Sequence, residues 1–229
     1  MGWRVPMISK TYSFSLLGID AIPVEVEVDL SPGLPSFTTV GLPDNIVRES
    51  KERVKSALQN SGYLFPGDRI TVNLAPAHIK KEGSGFDLPI AIGILASMGL
   101  LDPSRAAGIL LAGELSLDGR VKPISGGLPM AICAQQLGYQ TLMLPAESAP
   151  EAAVVQGLTV LPVKHLSEAV EYFNGRIELT PVGHDPEQTL AAAPDELPDF
   201  NEVKGQEHAK RGLEVAAAGG HNVLTLCSI

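Results

Sequence analysis

Cysteine is nearly absent from this sequence of 229 residues. Cys133 and Cys227 are too few for a disulfide framework or a CxxC metal site, so a reducing cytoplasm is the expected setting. Aromatic residues make up only 5%, which leaves Val, Ile, Leu and Ala to build the core. Positive charge is also in deficit: 17 Lys and Arg against 26 Asp and Glu give a formal charge of -9. Such a surface repels polyanions in bulk, so a nucleic-acid contact needs a local basic patch or partner subunits. The apolar stretch after Arg4 and Lys10 is broken by Asp20, Glu25, Glu27 and Asp29, which a signal-peptide core does not tolerate. The apolar run Leu88–Leu101, bounded by Asp87 and Asp102, is shorter than the ~20 residues of a spanning helix. No export or membrane segment is expected. What is present is 45% hydrophobic residues punctuated by 23 Gly and 18 Pro, a composition that packs a core and favours an α/β arrangement.

Val24, Val26, Val28 and Leu30 alternate with Glu25, Glu27 and Asp29, which predicts strands over Tyr12–Leu30 with one buried face. A short strand over Pro35–Val40 runs into Gly41-Leu42-Pro43-Asp44, a helix-start signal. The helix predicted over Pro43–Ser61 carries Ile46, Val47, Val54, Ala57 and Leu58 on its apolar side. A strand over Arg69–Leu74, a turn-rich segment over Ala75–Gly85 and an apolar helix over Phe86–Leu100 follow. Ile109–Leu117 and Arg120–Ile124 read as two strands joined by the hairpin pair Asp118-Gly119. Helices over Gly126–Leu137, Ala149–Val155 and Val163–Phe173 alternate with strands over Thr141–Leu144 and Leu158–Pro162. That order indicates an α/β domain, with a partly parallel sheet, over residues 8–175. Residues 176–199 carry six acids and four prolines against Arg176 alone and read as an acidic linker. Residues 200–229 begin a second domain, with a helical pattern over Phe200–Gly219 and a buried strand starting over Asn222–Leu226.

The segment from Lys80 to Asp87 is a polar Gly-rich loop opening onto an apolar helix, able to hold an anion or to present Ser84 as a nucleophile. An ordinary turn capped by Ser84 is the competing reading. The five histidines are scattered, and no HExxH, GxSxG or paired metal-ligand spacing occurs, so a metal site is not expected. Arg48, Lys51, Arg53, Lys55, Arg69, Lys80 and Lys81 stand against Glu49, Glu52 and Asp68. Side by side they form a basic patch for a phosphate backbone or an acidic partner; the competing reading is an exposed helix laced with ion pairs.

Several segments in order carry a family resemblance: Gly18-Ile19-Asp20, Val24–Val28, Gly33–Phe37, Val40–Asp44, Arg48–Val54, Ala57–Gly62, Ile70–Pro76 and Phe86–Ala91. Together they resemble the start of the ComM/YifB-type magnesium-chelatase-like AAA+ ATPases. The resemblance implies an α/β fold of the Lon-protease-like, ribosomal-protein-S5-domain-2-like kind. Gly113–Ile124 with Gly126-Gly127-Leu128 is similar to the Lon stretch that leads into its catalytic lysine, but the next residue here is Pro129. The Lon nucleophile position falls on Gly85 or beside Ser84. Proline has no ionisable group and cannot act as general base, so a Ser-Lys dyad is not expected.

Asp199–Arg211 and Ala217–Leu224 resemble the entry to an AAA+ module, which makes Gly205 and Gln206 the remnant of a nucleotide-binding segment near the adenine. No GxxxxGK[ST] loop occurs in the sequence, so no cofactor is expected for this chain. For the intact family member the resemblance implies ATP and Mg²⁺, a homo-oligomeric ring and DNA branch migration in competence and recombination. Any DNA binding by this acidic chain is then weak and salt-dependent. The alternatives are a residual Lon-like peptidase using Ser84 and, last, a magnesium-chelatase-like partner domain.

Overall fold

The computed structural model describes residues 7–106, 108–183 and 199–224. It divides into two units, one ending at Pro186 and the other starting at Glu187. The first is a mixed α/β unit around a seven-stranded sheet of order β3-β4-β2-β1-β5-β8-β9, in which β1 is Met7–Leu17, β2 Asp20–Ser31, β3 Ser36–Val40, β4 Arg69–Ala75, β5 Ile109–Leu111, β8 Thr141–Pro145 and β9 Thr159–Val163. The pairs β3–β4, β1–β5, β5–β8 and β8–β9 are parallel; β1–β2 and β2–β4 are antiparallel. A separate two-stranded hairpin joins β6, Glu114–Leu115, to β7, Val121–Lys122. Asp118 closes its turn by accepting from Ser116 Oγ at 2.6 Å and from Arg120 Nε at 2.7 Å, contacts that hold its carboxyl down to about 2.

The two halves of the sheet are buried differently, and the sequence pattern follows from that. In the β4-β2-β1 half, Val24, Val26, Val28, Ile70, Val72 and Leu74 face α1 (Asn45–Asn60) and α2 (Asp87–Ser97). The other face is polar: Lys10 Nζ donates to Glu25 at 2.8 Å and reaches Glu27 at 3.0 Å, and Asn73 donates to Glu27 at 2.7 Å. Apolar and charged residues therefore alternate. In the β5-β8-β9 half both faces are covered. Leu111, Met143 and Leu161 enter the first core, while Leu110, Leu142, Leu144 and Val160 pack with α4 (Gly127–Gln136) and α5 (Ala149–Ala152) in a second core. These strands are apolar at successive positions.

Helix α2 is buried at every position, and β1 meets it with small hydroxyl residues rather than methyl groups. Ser9 donates to the Gly93 carbonyl at 2.6 Å and Thr11 to the Pro89 carbonyl at 3.0 Å. A Cβ on Gly93 would stand 2.7 Å from Val28 Cγ2, so glycine lets the helix approach the sheet. The short α3 (Pro103–Ala106) and α6 (Leu166–Phe173) complete this unit; α6 buries Leu166, Ala169, Val170 and Phe173.

Several sequence expectations shift. Ile46, placed on the apolar side of α1, is 47% exposed, and the helix buries Val47, Ser50, Val54, Ala57 and Leu58. The single strand expected over Ile109–Leu117 breaks at Ala112–Gly113, because Gly113 exchanges its backbone bonds with Gly85 and Leu88 instead. Past Gly175 the first unit continues: Leu179 packs on its core, and Val182 N–H donates to the Val160 carbonyl at 2.9 Å. The rest of the expected acidic linker, through residue 198, lies outside the described residues. In the second unit, a 3-10 turn at Phe200–Glu202 precedes α7, Glu207–Gly219. Asn222–Leu224 is exposed and makes no strand, and Thr225 and Leu226 lie outside the described residues.

Candidate functional site

The Gly-Ser loop is fastened at both ends by backbone bonds. Lys81 N–H donates to the Leu42 carbonyl at 3.1 Å, and the Lys81 carbonyl accepts from Asp44 N–H at 3.0 Å. Asp44 also caps α1, accepting from Val47 N–H at 2.7 Å, while its second oxygen faces Gly83 N–H at 3.4 Å. The turn feeding Asp44 depends on Gly41, whose φ is 97° and on which a Cβ would run into the Leu74 carbonyl. Downstream, Gly113 N–H donates to the Gly85 carbonyl at 2.9 Å and Leu88 N–H to the Gly113 carbonyl at 3.0 Å. Ser84 is thus presented at the start of α2, beside the β6–β7 hairpin.

Beneath the loop lies a buried ion pair. Asp87 is fully buried and accepts from Arg53 Nε at 2.6 Å, from a second Arg53 nitrogen at 2.9 Å and from Leu115 N–H at 3.1 Å. Burial pushes the Asp87 carboxyl up to about 6, although Arg53 and the Leu115 N–H pull it the other way. Arg53 also donates to the Ile46 carbonyl at 3.1 Å. One side-chain pair therefore joins α1, α2 and β6 under the loop.

Above it, the Ser84 hydroxyl donates to the Glu114 carboxylate. Ser84 borders a cavity of about 290 Å³, walled by Phe14, Leu16, Ile124 and Met130 with Glu82 and Ser125 at its polar side. Pro129, half-buried, sits near the start of α4. That hydrogen bond fixes the direction of the Ser84 hydroxyl; a carboxylate is in general a weaker base than an imidazole or an amine.

The fold leaves five of the seven cations expected to share a face turned towards solvent and takes two of them inward. Arg48, Lys55, Arg69 and Lys80 are exposed and Lys51 is half-exposed. Lys80 bonds Glu82 at 2.6 Å, and Lys51 lies 3.5 Å from Glu52. Arg53 is committed to Asp87. Lys81 is completely buried, donates to the Pro76 carbonyl, and has its pKa pulled down by desolvation. Arg53 and Lys81 therefore leave the proposed basic face, because one neutralises a buried acid and the other points inward. Gly205 and Gln206 are exposed and both take left-handed backbone conformations immediately before α7. Among the described residues, no group of three His, Cys, Asp or Glu could hold a metal, and no helix is long and apolar enough to cross a membrane.

Sequence reasoning missed Asp87 and Glu114. Asp87 carried a usable signal, since a single acid heading an entirely apolar helix has no wet face to occupy. Glu114 carried none, because its approach to Ser84 depends on the hairpin crossing the loop.

Residues 26–148 match the family described as subunit ChlI of Mg-chelatase, and residues 199–228 match the description magnesium chelatase, subunit ChlI. Competence protein ComM of Haemophilus influenzae is 42% identical over 221 residues, covering 96% of this chain and 43% of that protein. The uncharacterized protein YifB of Salmonella typhimurium is 40% identical over 222 residues, with coverages of 96% and 42%. Lon protease 1 of Bacillus subtilis is 27% identical over 173 residues, 70% of this chain and 22% of the protease, in keeping with the Lon-like α/β fold. The chain spans less than half the length of the ComM and YifB relatives.

Proposed function

The chain belongs to the magnesium-chelatase ChlI-subunit family, of the ComM/YifB type, and from that premise we propose that it is the non-catalytic N-terminal domain of an ATP-driven DNA-remodelling protein. In this reading the intact protein is a ring-forming AAA+ motor that migrates DNA branches in competence and recombination. The Lon-like unit helps assemble the ring or contacts DNA. On the same reading, ATP and Mg²⁺ would act in a part of the intact protein that this chain does not span. Gly205 and Gln206 lie exposed, in left-handed backbone conformations, immediately ahead of α7.

The observation that supports a non-catalytic role is the partner of Ser84. Its hydroxyl donates to a carboxylate, and Pro129 stands where the resemblance to Lon would put the lysine base. The competing peptidase reading draws on the cavity that Ser84 borders. A fluorophosphonate probe separates the two. The proposal expects no labelling of the wild-type chain above that of Ser84→Ala at neutral pH. Labelling of wild type that disappears in Ser84→Ala would establish the peptidase instead.

A further inference from the structure

A second cavity, of about 340 Å³, lies between the outer face of α1 and the edge strand β3, away from Ser84. Phe37 and Phe65 contribute aromatic surface, and both are half-buried against the first core, which fixes their rings. Lys51, Lys55 and Gln59 enter from α1 at four-residue spacing, so they form one stripe along the groove. The Lys55 ammonium lies 6.0 Å from the centre of the Phe65 ring. Ser36 also lines the groove and is paired in register with Arg69, a third cation beside it. The opposing charges are Asp68 in the lining and Glu52 next to Lys51.

Aromatic faces flanked by cations match a particular chemistry: a flat base stacking on a ring while its phosphate takes up the ammonium groups. A duplex keeps its bases stacked inside, and a cavity of this size admits one unstacked unit rather than a helix. We propose that this groove binds a nucleotide unit of a single-stranded nucleic acid, with Phe65 and Phe37 as the stacking surface and Lys51 and Lys55 on the phosphates. The proposal rests on the DNA-contacting role proposed above and locates it. It draws on two of the seven cations expected from the sequence and adds the aromatic partners that charge counting does not find.

The test is fluorescence anisotropy of the whole chain with a labelled oligothymidine of about a dozen nucleotides, at several salt concentrations. Loss of both phosphate contacts in the double variant Lys51→Gln, Lys55→Gln should reduce the slope of log affinity on log salt by roughly 1.4, at about 0.7 per contact for single strands. Phe65→Leu, which keeps an apolar side chain on the core, should weaken binding about 5- to 150-fold and leave that slope unchanged. Lys164→Gln, exposed and outside the groove, should bind as wild type. The two lysines carry the test if Phe65→Leu does not fold, because their side chains lie toward solvent. Binding that survives the lysine substitutions overturns the groove and leaves the proposed function standing. A wild-type chain that binds no strand overturns the DNA contact in both. Equal affinity for thymidine monophosphate, or equally effective competition by polyglutamate, would overturn the strand assignment.

Discussion

Replacing Arg53 by methionine lowers the stability of the first unit by about 3–5 kcal/mol at pH 8, the cost of leaving a buried carboxylate without its partner. Asp87 is fully exposed to that cost: its side chain has no contact with water, and its remaining donor is the Leu115 N–H. The loss should shrink towards pH 5. The Asp87 carboxyl is raised from 3.8 to about 6 in the folded chain, so its stabilising contribution is complete below 3.8 and disappears as the pH rises through 6. At pH 5 the carboxyl takes up a proton and needs the guanidinium less. Urea unfolding of wild type and Arg53→Met at the two pH values reads the difference directly. Asp87→Asn should cost less than Arg53→Met at pH 8, since it leaves Arg53, whose side chain is 20% exposed and can turn to water. Equal losses at both pH values would mean that Arg53 stabilises through packing alone.

Replacing Lys81 by methionine should have the opposite sign, raising stability at pH 7 by about 1–4 kcal/mol, on the scale seen when buried ion pairs give way to apolar residues of similar volume. The lysine is completely buried, its ammonium has the Pro76 carbonyl as its hydrogen-bond partner, and desolvation depresses its pKa. A depressed folded pKa means that stability is gained as the pH rises and lost as it falls through that pKa. The wild type therefore carries its penalty at neutral pH, and the gap to Lys81→Met should close on the alkaline side. The backbone bonds of residue 81 to Leu42 and Asp44 do not involve the side chain and survive the change. Thermal unfolding between pH 7 and pH 10 tests this. A less stable Lys81→Met at pH 7 would show that the ammonium holds the loop in place.

These two residues also mark where the sequence stops being legible. The period-2 pattern of β2, the Asp118-Gly119 hairpin and the apolar run of α2 can be read directly, because each reflects a local rule: one wet face, one tight turn, no wet face at all. The Ser9 and Thr11 stripe cannot. These residues look solvent-facing, and they are buried because α2 offers them the carbonyls of Gly93 and Pro89, more than seventy residues on. Arg53 and Lys81 fail in the same way. Both look like surface charges in local sequence, and only the 34-residue separation closed between α1 and α2 reveals that Arg53 has an acid to neutralise. At the candidate site, the Gly-Ser loop and the anomaly of Pro129 were legible, whereas Glu114 and the aromatic walls of the α1 groove required the fold.

If the protease-like fold serves nucleic acid rather than peptide hydrolysis, the chain binds DNA by itself. The most direct measurement is a paired titration of the 229-residue chain with labelled ATP and with single-stranded and forked DNA at low salt, repeated as salt is raised. Weak DNA binding that falls steeply with salt, without tight ATP binding, is the expected result for an acidic chain with a few local phosphate contacts. Failure of both DNAs to bind at low salt would contradict that reading.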